Sequence, residues 1–270
     1  MAKSKIRPHP LQVAKQEVRL PSGAFLRALP FTVDRATRLR LDAIVFAADV
    51  LASAYVQMVE VAVAAGTSDS TEDASTRLFQ CAWTIVDQVH NIRLLLDKLE
   101  RKIPEAEQFR TDFAVARELR NRMDHLNAHI PNIANSAKPG DSLFGSISYV
   151  LEVEHGSGDD RQKFFVLRQT GAVQPGQKMA GLRVPSELRL PVGNFQLGAI
   201  GRTLDIDQAV TDLGLVMTAL NEEIEQVIMA QIKSKAAELS RPEADLLAHY
   251  GANITIALAF NAAVEKLETD

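Results

Sequence analysis

The chain has 270 residues, 46% hydrophobic and 24% charged, a balance that excludes a disordered or fibrous protein and allows a substantial core. A net charge of -4 and a pI near 5.9 exclude a protein that coats nucleic acid through a broadly basic surface, though not one with a small basic site. Aromatic residues are sparse at 6% beside abundant Ala, Leu and Val, which favours helix-on-helix packing over a β-sandwich.

Residues 1–32 read as an N-terminal arm. Prolines at 8, 10, 21 and 30 forbid long helices there, and only Phe25-Leu26-Arg27-Ala28-Leu29 is apolar enough to dock. The basic start lacks the apolar core of a signal peptide. The most apolar stretch, residues 43–65, is interrupted by Asp49, Gln57 and Glu60, so the expectation is a soluble, cytoplasmic protein with no membrane span.

From Asp34 onward the pattern is helical. Leu41, Ile44, Ala48, Leu51, Tyr55, Met58 and Val59 recur at three- and four-residue steps, with Thr32 or Asp34 as N-cap and Gly66 as the stop. Ser70-Thr71-Glu72-Asp73 reads as a capping-box start for a second helix, whose stripe runs from Leu78 through Cys81, Ile85, Val89 and Ile92 to Leu96. The lone Cys81 lies in that stripe and reads as a small buried hydrophobe, not a nucleophile. Pro104 opens a third helix with Glu105 and Glu107 in its first turn, Phe109, Phe113, Ala116 and Leu119 on its buried face, and Pro131 at its end.

Three long helices on short turns imply antiparallel neighbours, so residues 33–130 read as most of an up-and-down bundle. Residues 131–204 interrupt it as a β-containing insertion. After a loop at 131–141, residues 142–152 alternate as a strand, 155–160 carry turn chemistry, and 163–168 read as the returning strand of a hairpin. Residues 170–200 hold five of the 14 glycines and read as loop with one or two irregular strands. Helical periodicity returns near Asp207 and runs to Lys235. Ser240-Arg241-Pro242-Glu243 then starts a short helix stopped by Gly251, and residues 253–267 read as strand then helix, or one helix; residues 205–270 together close the bundle. The fold class is thus mainly α, an antiparallel helical bundle with a β-hairpin-containing insertion before its last long helix.

Chemical character concentrates in Arg117-Glu118-Leu119-Arg120-Asn121-Arg122-Met123-Asp124-His125. On one helix Asn121 and His125 lie about 40° apart in azimuth and share a face, while Arg120 can sweep across toward them. Arg120 with Asp124, and Glu118 with Arg122, also have the four-residue spacing of surface ion pairs, which is the purely structural alternative.

The run Arg120-Asn121-x-x-x-His125 resembles the R-x(4–6)-H motif of the HEPN superfamily, in which a polar residue often follows the arginine. Arg122 with His129 satisfies the looser pattern too. The resemblance covers residues 33–130 and the closing helix at 207–235. It implies a helical bundle that commonly dimerises with two motifs facing one cleft, and metal-independent ribonuclease activity in toxin–antitoxin, phage-defence or RNA-processing settings. On that reading His125 is the acid/base, Arg120 the phosphate clamp and Asn121 the orienter; RNA, a second copy and an antitoxin-like protein are the partners, and no cofactor or metal is required. The β-containing insertion directly after the motif departs from the compact family pattern. Family members also serve as non-catalytic modules, so an interaction or scaffold protein whose insertion binds a partner is the alternative.

Other chemistry is thinly represented. His125 and His129 have the spacing of two metal ligands but lack a third, and His90, beside Asp87, reads as a core-edge residue. The chain contains no phosphate-binding glycine loop and no nucleophile elbow.

Overall fold

The computed structural model describes residues 5–6, 18–29, 33–66, 72–100, 102–134, 144–154, 161–169, 192–199 and 201–247. The protein is mostly helical, with a small antiparallel sheet. Its described elements are β1 (Lys5–Ile6), α1 (Arg35–Ala65), α2 (Glu72–Asp97), α3 (Pro104–Asp112), α4 (Val115–Asp124), α5 (Leu126–Ala134), β2 (Ser146–Glu154), β3 (Arg161–Gln169), β4 (Gly193–Ala199), β5 (Arg202–Asp205), α6 (Ile206–Leu239) and α7 (Glu243–Leu247).

α1 starts where the Asp34 carboxylate accepts the Thr37 N–H at 3.0 Å and ends at Gly66, whose positive φ of 57° suits glycine. The capping residues Ser70 and Thr71 expected before α2 lie outside the described residues. α1 and α2 pack along each other, and Leu41, Ile44, Leu51 and Met58 of α1 and Leu78, Ala82, Ile85 and Val89 of α2 are buried in the shared core. By length and composition α1 could cross a bilayer, with a mean hydropathy of 1.6 over its best 18-residue window; 61% of that window is buried inside the protein.

The single third helix expected over residues 104–131 is instead three helices. Phe113 and Ala114 separate α3 from α4 without glycine or proline. The Ala114 N–H turns to Thr111 at 3.3 Å, and the Arg110 carbonyl it would have bonded accepts the Arg93 Nε–H at 2.8 Å. A side chain from α2 thus replaces a helical bond, and Phe113 packs inward against Phe109 with ring centroids 4.9 Å apart. His125 ends α4, and Pro131 lies inside α5 instead of terminating it.

The expected hairpin is present, β2 pairing antiparallel with β3 from Ser146↔Gln169 to Glu154↔Arg161. On the other edge of β2 lie β4, against Ser146 to Val150, and β1, against Val153 and Glu154. β4 buries every second residue, Phe195 and Leu197 among them, and β5 continues the sheet beside it. Neither strand was individually placed by sequence pattern. Gly145 enables the entry to β2: at φ 90° a side chain is strained, and a Cβ would stand 2.3 Å from the Gly198 carbonyl oxygen.

α6 starts one residue earlier than its periodicity indicated, capped by Asp205, whose carboxylate accepts the Gln208 N–H at 2.9 Å. Sheet and helices meet at Asp207, in the first turn of α6. Its buried carboxylate accepts the Tyr55 hydroxyl of α1 at 2.9 Å and the Phe195 N–H of β4 at 3.2 Å. Tyr149 stacks on Phe195 at 5.0 Å, and Tyr55 meets Phe195 edge-on at 6.3 Å.

The N-terminal segment over residues 18–29 is part of the core. Val18, Leu20, Ala24 and Leu26 are buried, Arg27 forms a two-pronged pair with Asp49 at 2.8 and 2.7 Å, and the Leu26 N–H reaches Asn221 of α6 at 3.2 Å. Ser240, read as a helix start, is the left-handed C-cap of α6 at φ 49°. Gly251 and residues 253–267 lie outside the described residues, as do residues 170–190.

Candidate functional site

α4 buries Ala116 and Leu119, which turns Arg117, Arg120, Asn121 and Asp124 away from the core. α2 runs antiparallel beside it. Arg110 of α3 pairs with Asp97 at one end of this seam, and Arg120 of α4 pairs with residues near Asp87 at the other. The Arg120 guanidinium donates from Nη1 to Asn91 Oδ1 at 2.8 Å and places Nε 3.6 Å from Asp87 and 3.8 Å from Asp124. Its side chain remains one-third exposed, and no contact of Nη2 is recorded among the described residues.

Asn121 and His125 are not among the side chains that hold Arg120. Both are exposed, and among the described residues neither side chain has a hydrogen-bond partner. His125 is the C-cap of α4, with φ −111° and ψ 27°; its N–H reaches the Asn121 carbonyl at 3.2 Å, and its own carbonyl accepts from Ala128 at 2.9 Å. The turn therefore separates His125 from the straight-helix relation with His129. Among the described residues no three His, Cys, Asp or Glu side chains converge as a metal site. The Arg120–Asp124 pair expected from spacing is present, whereas Glu118 pairs with Arg202 of β5 at 2.6 Å.

The seam contains a residue whose importance its position alone did not reveal. His90 is 9% exposed, and its Nδ1 is buried without a hydrogen-bond partner. Burial, then the charges of Arg120, Arg93 and Arg117, hold its pKa below the ordinary histidine value, so the imidazole is neutral near pH 7. Burial raises Asp87 above the usual carboxylate range against the pull of Arg120, with Asp124 adding to the rise. Helical spacing links Asp87, His90 and Asn91 on α2, but only the register of α4 brings arginines opposite them.

Two other features have different chemistry. Cys81 is buried, burial raises its thiol pKa, and its sulfur lies 3.6 Å from Gln57 Oε1, as suits a small core residue. An open cleft of about 460 Å³ lies between the start of α3 and α6, lined by Lys102, Ile103, Glu105, Glu222, Glu223 and Gln226 among others, and shares no residue with the seam. Comparison with protein-family models, curated proteins and solved structures finds no match.

Proposed function

We propose that the chain is a HEPN-like, metal-independent endoribonuclease whose site is completed by a second copy of itself. The observation that carries this reading is the state of the motif residues in one chain. Arg120 is held in place by Asn91 and Asp87 yet stays partly exposed, while Asn121 and His125 present uncommitted side chains to solvent. A guanidinium fixed in this way is pre-organised to receive a phosphate and stabilise charge developing on it. An exposed imidazole at a helix end can take the proton of a ribose 2′-hydroxyl as its oxygen attacks phosphorus and the bond to the 5′-oxygen breaks. A proton delivered to that 5′-oxygen through water completes the step, while Arg120 of the second copy holds the phosphate across a symmetric cleft. The test is cleavage of single-stranded RNA in chelator by wild type and His125→Ala. Loss of at least about a hundredfold in rate is expected, in line with the usual worth of a general acid/base; equal rates sink the catalytic assignment.

One observation favours a second reading. Arg120 of α4 bonds Asn91 and faces Asp87, both on α2, and faces Asp124 on its own helix, as in a residue that pins α4 to α2 in an interaction protein. On that reading Arg120→Ala lowers thermal stability, and wild type has no RNA cleavage to lose. Wild-type cleavage that depends on His125 rules it out.

A further inference from the structure

Asn91 lies on α2 one turn after Asp87, and Arg120 fixes the way its side chain is turned. A guanidinium only donates, so the amide atom 2.8 Å from Arg120 Nη1 has to be the oxygen. The other end of the same amide, Nδ2 with its two N–H groups, is thereby oriented as well, within about 5 Å of Nη1 by covalent geometry. Among the described residues Nδ2 has no hydrogen-bond partner. His90 Nδ1 is the one side-chain polar atom there that is both unpartnered and buried, so Asn91 Nδ2 reaches solvent. The Arg120 side chain beside it is one-third exposed, and no contact of its Nη2 is recorded among the described residues. The two acids near Arg120 approach its Nε: Asp87 at 3.6 Å and Asp124 at 3.8 Å, beyond hydrogen-bond distance, with half or more of each side chain in water. Water and salt screen carboxylates so exposed. The group hydrogen-bonded to Nη1 is an uncharged amide, which orients the guanidinium without neutralising it.

We propose that Asn91 is a phosphate-binding residue, its Nδ2 donating to the same RNA phosphate that Arg120 clamps. The assignment rests on the RNA reading above for its ligand. A phosphate has oxygens enough to accept from both side chains at once, and hydrogen bonds to a charged acceptor are the strong ones. The proposal also accounts for an amide at this position. A pin between α2 and α4 would be served at least as well by a carboxylate, which takes a guanidinium through both oxygens. A carboxylate at 91 would, however, neutralise Arg120 and put an acceptor where the phosphate needs a donor.

The isosteric change Asn91→Asp separates the two roles, because it keeps the acceptor for Arg120 and removes the donor. The pin survives it, so the wild-type melting temperature is expected to be kept. The kcat/KM for single-stranded RNA is expected to fall at least about tenfold, as for loss of a hydrogen bond to a charged group. Compared with wild type at the same salt, the deficit is expected to persist at high salt, where the long-range repulsion of an added charge is screened. Inorganic phosphate is the second probe, again on the full chain. The Asn91 amide protons are followed by NMR, assigned as the side-chain pair missing from Asn91→Asp. Phosphate is expected to move them in wild type and to leave them in place in Arg120→Gln. Amide protons that ignore phosphate in wild type overturn the assignment. So does Asn91→Asp cleaving RNA as fast as wild type, or a deficit that disappears at high salt; His125-dependent cleavage by wild type in those cases leaves the proposed function standing. If phosphate moves the amide protons but wild type cleaves no RNA, the anion site stands and RNA is removed as its source. Should Asn91→Asp fail to fold, the phosphate titration of wild type and Arg120→Gln decides alone.

Discussion

Asp207 shows how one side chain can join a sheet to a bundle while carrying an electrostatic cost. Burial raises its pKa from 3.8 to about 6 even though the Tyr55 hydroxyl and the Phe195 and Asn194 amides favour the ionised form. Unfolding restores the ordinary value, so the folded state holds this proton more tightly. The resulting stabilisation is fully present below pH 3.8, falls as pH rises through the window to about 6, and is absent above it. The difference amounts to about 3 kcal/mol. Denaturant titrations of wild type and Asp207→Asn at pH 4 and pH 7 measure it: wild-type stability relative to the variant should fall by up to about 3 kcal/mol across that interval, and a constant difference would refute the assignment. Tyr55→Phe removes the hydroxyl donor to the same carboxylate and should cost about 1–3 kcal/mol at pH 7. Residue-level legibility followed the reach of the partner. Cys81 could be read from its own helix, because an apolar stripe determines its surroundings. His90 read only as a core-edge residue, because two of the three arginines whose charges reach it, Arg120 and Arg117, belong to α4 and enter through tertiary register.

At the scale of elements, α3 and α4 show why a periodic pattern can be right about the buried face and wrong about continuity. Phe109, Phe113, Ala116 and Leu119 are all buried, as one helix would require. The break between α3 and α4 comes from Arg93, which no local signal could reveal because it lies on another helix. β5 was equally hard to read, since the four residues Arg202–Asp205 are too few to display alternation and gain their strand character by pairing with β4. The N-terminal segment yields the element-level prediction. Its Arg27 is three-quarters buried and held by both Asp49 oxygens and the Leu20 carbonyl, so Arg27→Ala leaves Asp49 and that carbonyl without this donor. The variant should lose about 1–3 kcal/mol, with amide exchange accelerating over residues 18–29 before α2. Unchanged exchange there would mean that burial of Val18, Leu20 and Leu26 alone holds the segment.

For the molecule as a whole, the decisive question is whether Arg120 and His125 act within one chain or between two. Within one chain Arg120 contacts α2 and its own helix, while the exposed His125 caps the end of α4. A two-fold dimer with the α4 ends at its axis would place His125 of one copy against Arg120 of the other, and back again by symmetry. That arrangement makes a quantitative prediction about mixed variants. Arg120→Ala and His125→Ala homodimers each lack a complete site. In a heterodimer of the two, one site has lost both groups, but the other combines the intact arginine of one chain with the intact histidine of its partner. Equal mixing with free exchange makes about half of all dimers heterodimeric, each with one of two sites intact, so ribonuclease activity should recover to about a quarter of wild type. Light scattering on the same samples establishes whether the dimer forms, and dilution below its dissociation constant should abolish the recovered activity. If the dimer forms and exchanges but mixing restores nothing, the arginine and histidine do not complement each other across it, and an active wild type would then have to assemble its site from groups within a single chain.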